Sequence, residues 1–131
     1  MGRILVIDDD PMMRSLLSKY FTVKGHQVIE AEDGAHGIGL ATKSHPDVVI
    51  LDMEMPVLDG YSTLSIIRHS RRIPQVPVVV LTAKTDAVLR HDCEDAGCTD
   101  YITKPFDMDH LHQTVDARLK AGGAEITQPY L

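Results

Sequence analysis

Five short segments set the rhythm of the chain, and three of them are unbroken apolar runs. Ile4-Leu5-Val6-Ile7, Val48-Val49-Ile50-Leu51 and Val78-Val79-Val80-Leu81 show no alternation of polar and apolar residues. Runs this short and this apolar predict strands buried on both faces, as in a parallel sheet. Gln27–Ala31 alternates more and belongs nearer an edge, and Asp100–Thr103 makes a fifth strand. Between the strands the apolar positions change to helical spacing. Met13, Leu16, Leu17 and Tyr20 mark the first helix, Ile38 and Ala41 the second, and Leu64 and Ile67 the third. Leu89, Cys93 and Ala96 mark a fourth over roughly residues 86–96, and Leu111, Val115 and Leu119 a fifth.

Punctuation agrees with this reading. Asp10-Pro11 offers an N-cap acceptor followed by proline at the first helical position, and Gly25 suits the far end. Gly34, Gly37 and Gly39 make the second helix poor by propensity, and Pro46 stops it before the next strand. Asp59-Gly60 opens the third helix, and Gly97 closes the fourth. Asp107 caps the fifth, with Phe106 and Leu111 at the spacing of a hydrophobic staple. Residues 122–131 carry no periodicity and read as a flexible C-terminal tail, leaving a folded domain over residues 1–121. Strand–helix alternation with short connections predicts an α/β fold: one doubly wound, five-stranded parallel sheet with five helices on its two faces. The flavodoxin-like strand order 2-1-3-4-5 sets the ends of strands one and three side by side at the topological switch point.

Composition narrows the class. A chain of 131 residues with 44% hydrophobic residues makes one globular domain, and without tryptophan its core is aliphatic. The net charge of −6 argues against direct binding of nucleic acid or an anionic membrane. No apolar run has transmembrane length, and the N-terminus goes straight into a strand with no signal-peptide pattern. The expected location is therefore cytoplasmic. Cys93 and Cys98 lack metal-site spacing and read as reduced thiols. The seven histidines are scattered and are expected on the surface.

The chemistry lies at the strand ends. Asp8 and Asp9 follow strand one, and Asp52 ends strand three. In the predicted order these carboxylates crowd one crevice and repel one another unless a positive charge intervenes. A hard divalent cation such as magnesium is one partner. Lys104, after strand five, is the other, and Thr82 adds a hydroxyl at the end of strand four. Carboxylates, a magnesium-like ion, a lysine and a hydroxyl suit phosphoryl transfer, with Asp52 as the central nucleophile. Asp10 and Asp59 fit helix capping better than metal binding, and Pro56 fits a structural break.

These residues, taken in order, resemble the receiver domain of response regulators. The likeness is carried by Asp8-Asp9, by Asp52 with Met55-Pro56 and Asp59-Gly60 behind it, by Thr82-Ala83, and by Lys104-Pro105-Phe106. It spans residues 3 to about 120. It implies that Asp52 accepts phosphate from a histidine kinase or a histidine phosphotransfer protein. Asp8 and Asp9 would hold magnesium, or manganese in its place, together with Asp52 and the backbone carbonyl of Glu54. Lys104, before a cis Pro105, would pair with Asp52 and then with the phosphate. Thr82 would bond a phosphate oxygen, and Tyr101 would turn inward after it. The surface of helix four, strand five and helix five would then change for a downstream protein partner. The domain would catalyse only its own phosphorylation and dephosphorylation, so it is not read as an enzyme.

Other classes fit less well. A haloacid-dehalogenase-type hydrolase places its nucleophile in an Asp-x-Asp pattern after the first strand, whereas this chain has Asp8-Asp9-Asp10-Pro11 and no cap domain. No G-x-G-x-x-G follows strand one, which argues against dinucleotide binding. Intact Asp9, Asp52, Thr82 and Lys104 argue against a module that has given up phosphate. The tail is compatible with a stand-alone receiver and with a piece of a longer regulator or hybrid kinase. Glu54 and Lys84, each two residues past a site residue, are expected to pair across the crevice mouth. An exposed pair contributes ~0–1 kcal/mol to stability, so its effect would be to slow the approach of hydrolytic water.

Overall fold

The structure is a computed structural model that describes residues 2–125, with side chains described through residue 121. Five strands and five helices alternate: β1 (Arg3–Ile7), α1 (Pro11–Val23), β2 (Gln27–Ala31), α2 (Gly34–Ser44), β3 (Val48–Asp52), α3 (Gly60–His69), β4 (Val78–Thr82), α4 (Ala87–Asp95), β5 (Asp100–Thr103) and α5 (Met108–Glu125). All strand pairs are parallel, in the order β2-β1-β3-β4-β5. The doubly wound sheet is as expected. α5 runs through Glu125, into the segment read as tail; residues 126–131 of that segment lie outside the described residues.

Because successive strand residues point to opposite faces, the two halves of each apolar run build separate cores. Leu5, Ile7, Val49, Leu51, Val78 and Val80 meet Ala41 of α2, Leu64 and Ile67 of α3 and Cys93 of α4. Ile4, Val6, Val48, Ile50, Val79 and Leu81 meet Leu17 and Phe21 of α1 and Leu111 and Val115 of α5. Unbroken burial of β3 and β4 follows, since each has a helix layer on both sides.

Asp10, Asp59 and Asp107 cap their helices as expected, and Asp33 and Asp86 cap two more. Asp10, Asp33, Asp59 and Asp86 each accept a backbone N–H of the first helical turn, and Asp107 accepts that of Asp109. Gly25 takes a left-handed φ of 95° beyond α1, where a β-carbon would be strained. α2 forms despite its glycines because two of them serve packing. A β-carbon on Gly37 would stand 2.4 Å from Ile7 Cδ1, so this helix lies closer to the sheet than a side chain permits.

Three expectations are corrected. Leu16 and Leu89, placed on buried helix faces, are 51% and 41% exposed. In α1 the buried stripe runs instead through Leu17 and Phe21, and in α4 Cys93 is the one buried residue. His26 and His112 are half-buried rather than on the surface, set around the edge of Phe21.

Gly60 positions the site by close approach. Its φ is not left-handed, but a β-carbon there would stand 2.4 Å from Met53 Cα and 2.7 Å from the Asp52 carbonyl oxygen. Neither backbone atom can yield cheaply. Gly60→Ala is therefore expected to lower the unfolding free energy by about 1–3 kcal/mol. Gly39→Ala, in the interior of α2 with open space around it, is expected to raise it by about 0.5–1 kcal/mol. Urea denaturation of the two variants checks both signs.

Candidate functional site

The register of the sheet assembles the site. Ile7 lies opposite Leu51, so Asp8 and Asp52 come next on neighbouring strands, both continuing the side that carries Val6 and Ile50. Asp8, Asp9 and Asp52 each bring a carboxylate oxygen within 4.8 Å of the others. Asp8 and Asp52 are 1% and 3% exposed, while Asp9 is open to solvent. Lys104 reaches over from the end of β5, and its Nζ lies 2.8 Å from Asp52 Oδ1. The Lys104–Pro105 bond is cis, as the family likeness implies.

Burial of so much negative charge shows in the titration of the group. Asp8 is pushed up to about 6, first by burial and further by the charge of Asp52; the Asp10 N–H and the Lys104 ammonium oppose the shift. Its Oδ1 accepts the Asp10 N–H at 2.9 Å. Its Oδ2 is buried with no hydrogen-bond partner among the described residues. A buried carboxylate oxygen of this kind is costly unless something positive meets it. Lys104 responds in the opposite sense. Burial pulls its ammonium down, but the hydrogen bond and charge of Asp52, with Asp8 and Glu54, prevail and hold its pKa above the ordinary lysine value. Three convergent carboxylates, one with an orphaned oxygen, fit a hard, oxygen-seeking divalent cation.

Thr82 and Tyr101 lie on the other side of the sheet, in line with Val78 and Val80. Thr82 is buried at the end of β4. Tyr101 stands half-buried against the α2–α4 core, with its hydroxyl donating to the Lys84 carbonyl at 2.8 Å. The Arg90 guanidinium covers its ring at 5.6 Å.

The Glu54–Lys84 pair expected across the mouth does not form. Glu54 Oε2 instead accepts the Thr82 hydroxyl at 2.6 Å, and Oε1 accepts the Ala83 N–H at 2.7 Å. A preorganised hydroxyl and amide at the strand end reach the carboxylate with less ordering than a long lysine requires. Sequence reasoning also missed Arg14. Its guanidinium donates to the Asp8 carbonyl at 2.8 Å and lies 3.3 Å from Glu30, so it steadies the backbone under the acid pair. An arginine one turn into the helix that follows three aspartates was the available signal.

The chain was compared with known proteins. The family model described as the response regulator receiver domain matches residues 4–116. The chain is 40% identical to the transcriptional regulatory protein KdpE of Mycobacterium tuberculosis, over 100% of this chain and 58% of that protein. It is 38% identical to the DNA-binding dual master transcriptional regulator RpaA of Synechocystis, over 92% of this chain and 50% of that protein. The chain thus spans only about half the length of these two relatives. Protein PilH of Pseudomonas aeruginosa is 35% identical over 91% of this chain and 98% of its own. Among solved structures, the receiver domain of the Pseudomonas aeruginosa sensor histidine kinase PA1611, with magnesium coordinated in its active-site cleft, superposes with a TM-score of 0.82. That match has 29% identity and covers 91% of this chain and 98% of that one.

The raised Asp8 value carries a stability consequence. A carboxyl that holds its proton more tightly folded than unfolded costs nothing below its unfolded value of 3.8. The cost grows as pH rises through the interval up to about 6 and is fully present above it. In the absence of divalent cations, Asp8→Asn is expected to raise the unfolding free energy by about 1–3 kcal/mol at pH 7.5. At pH values near or below about 4 the gain should vanish. Urea titrations in chelator at the two pH values check this; an equal gain at both would contradict a charge-based origin.

Proposed function

The chain belongs to the response-regulator receiver family, and from that premise we propose that it is a phosphorylation-dependent switch of a two-component phosphorelay, acting in the cytoplasm. Receiver domains are signalling domains rather than classical enzymes, and the chemistry here serves a state rather than a product. Asp52 takes the phosphoryl group from the phosphohistidine of a histidine kinase or phosphotransfer protein. The P–N bond breaks as the bond from the carboxylate oxygen to phosphorus forms.

One observation carries the reading: a buried carboxylate at a strand end, with an ammonium at 2.8 Å on one oxygen and two further carboxylates converging beside it. Asp8, Asp9, Asp52 and the Glu54 carbonyl are the ligands proposed for magnesium, or manganese, which supplies positive charge to the phosphoryl oxygens when bound. Lys104 balances the acid cluster at rest and follows the new negative charge onto the phosphoryl group. Thr82 offers its hydroxyl to a phosphoryl oxygen, and the Tyr101 ring moves into the space beside it. The face formed by α4, β5 and α5 then presents a changed surface to a protein partner. A net charge of −6 supports an output through protein contact, without direct nucleic-acid binding by this domain.

The test is intact-protein mass after incubation with acetyl phosphate and magnesium. A single magnesium-dependent phosphate adduct is expected on the wild type and none on Asp52→Asn. No adduct on the wild type, or an adduct on both proteins, would overturn the assignment.

A further inference from the structure

Thr82 Oγ and the Ala83 N–H form a two-donor cradle for an oxyanion, and in this structure the cradle holds the Glu54 carboxylate. The contacts are short, 2.6 and 2.7 Å, and each donor meets a different carboxylate oxygen. Hydrogen bonds to an ionised acceptor are the strong kind. The cradle fixes more than Glu54. The Thr82 hydroxyl also accepts the Lys84 N–H at 3.1 Å, and the Lys84 carbonyl accepts the Tyr101 hydroxyl at 2.8 Å. Glu54, Thr82, the 82–84 backbone and Tyr101 therefore form one continuous chain of hydrogen bonds.

A phosphoryl group on Asp52 needs donors at the same strand ends, and Thr82 carries the hydroxyl there. Two anions cannot share one cradle: a hydroxyl has a single proton to give. Glu54 is itself an exposed residue, so its carboxylate can leave for water without being stranded. We propose that the Glu54 side chain is an internal anion that occupies the Thr82–Ala83 donors at rest, and that a phosphoryl group captures them only by displacing it. This rests on the phosphoacceptor reading above and adds to it a residue that sets the threshold of switching. Glu54 thus acts twice, through its backbone carbonyl toward the cation and through its carboxylate against the phosphoryl group.

Beryllium fluoride with magnesium, a tetrahedral phosphoryl mimic, tests the competition by calorimetric titration. Two hydrogen bonds to a charged group must break before the mimic binds, so Glu54→Ala is expected to bind the mimic about tenfold more tightly than the wild type. Glu54→Gln, which keeps one acceptor but loses the charge, should fall between them and serves if the alanine variant is poorly folded. Glu32→Gln removes an exposed charge from the neighbouring rim, by Asp9 and Arg14, and should change affinity less than about twofold, as a screened surface charge does. Unchanged or weaker binding by both Glu54 variants would overturn the proposal. So would equal tightening by Glu32→Gln, which would reduce the effect to general charge. Failure of the wild type itself to bind the mimic would overturn the phosphoacceptor reading along with it.

Discussion

Everything at the site depends on the pairing of the buried Asp52 carboxylate. A buried carboxylate is costly unless a positive group meets it. Lys104 meets it through a 2.8 Å ion pair with a residue 52 positions away in the chain. Such a pair is poor evidence for stability, since desolvation of the two charges offsets much of their attraction. Its value is chemical: it sets an ammonium on one oxygen of Asp52 and leaves the neighbouring carboxylates uncompensated. Asp8, pushed up to about 6 with a partnerless Oδ2, carries that deficit. The site is poised for a cation because Lys104 pairs with only one of the three carboxylates.

The alternation of strand residues divides the labour. Asp8, Asp52 and Lys104 continue the side that packs against α1 and α5, while Thr82 and Tyr101 continue the side that packs against α2, α3 and α4. The charged cluster therefore lies on one side of the sheet edge, and the residues proposed to respond to it lie on the other. Glu54 is the side chain that crosses between them, with its backbone beside Asp52 and its carboxylate on Thr82. Any change in charge at Asp52 can reach Tyr101 through that crossing and the 82–84 backbone.

One element on the Thr82–Tyr101 side, α4, is loosely held. α4 buries only Cys93, while Val88 and Leu89 remain 66% and 41% exposed. An element with few buried apolar contacts sits at the low end of local stability and shifts at low cost. α1 and α5, by contrast, each anchor two fully buried side chains in the opposite core. A firmly packed core beside the acids and a sparsely buried α4 beside Tyr101 are a physical basis for the proposed two-state surface.

Much of this was legible in the chain. Unbroken apolar runs identified the buried strands, and Asp10-Pro11, Gly25, Asp59 and Asp107 marked helix ends, because these signals act within a few residues. Strand alternation with short connections restricts topology strongly, and the flavodoxin-like order, chosen among those it allows, brings Asp8, Asp9, Asp52 and Lys104 together. What only the tertiary structure decided was coverage and partnership. Helical spacing shows that Leu16 and Leu89 share a face with buried neighbours, but not how far the opposing sheet extends beneath them. Propensity counts Gly37 against a helix, whereas contact with Ile7 at the sheet requires it. Spacing places Glu54 over the crevice mouth, but the choice between Lys84 and the Thr82–Ala83 donors is a contest between a flexible ammonium and a preformed cradle. Sequence determines which groups arrive at a site; the relative positions of donors already fixed by the fold determine which of them bond.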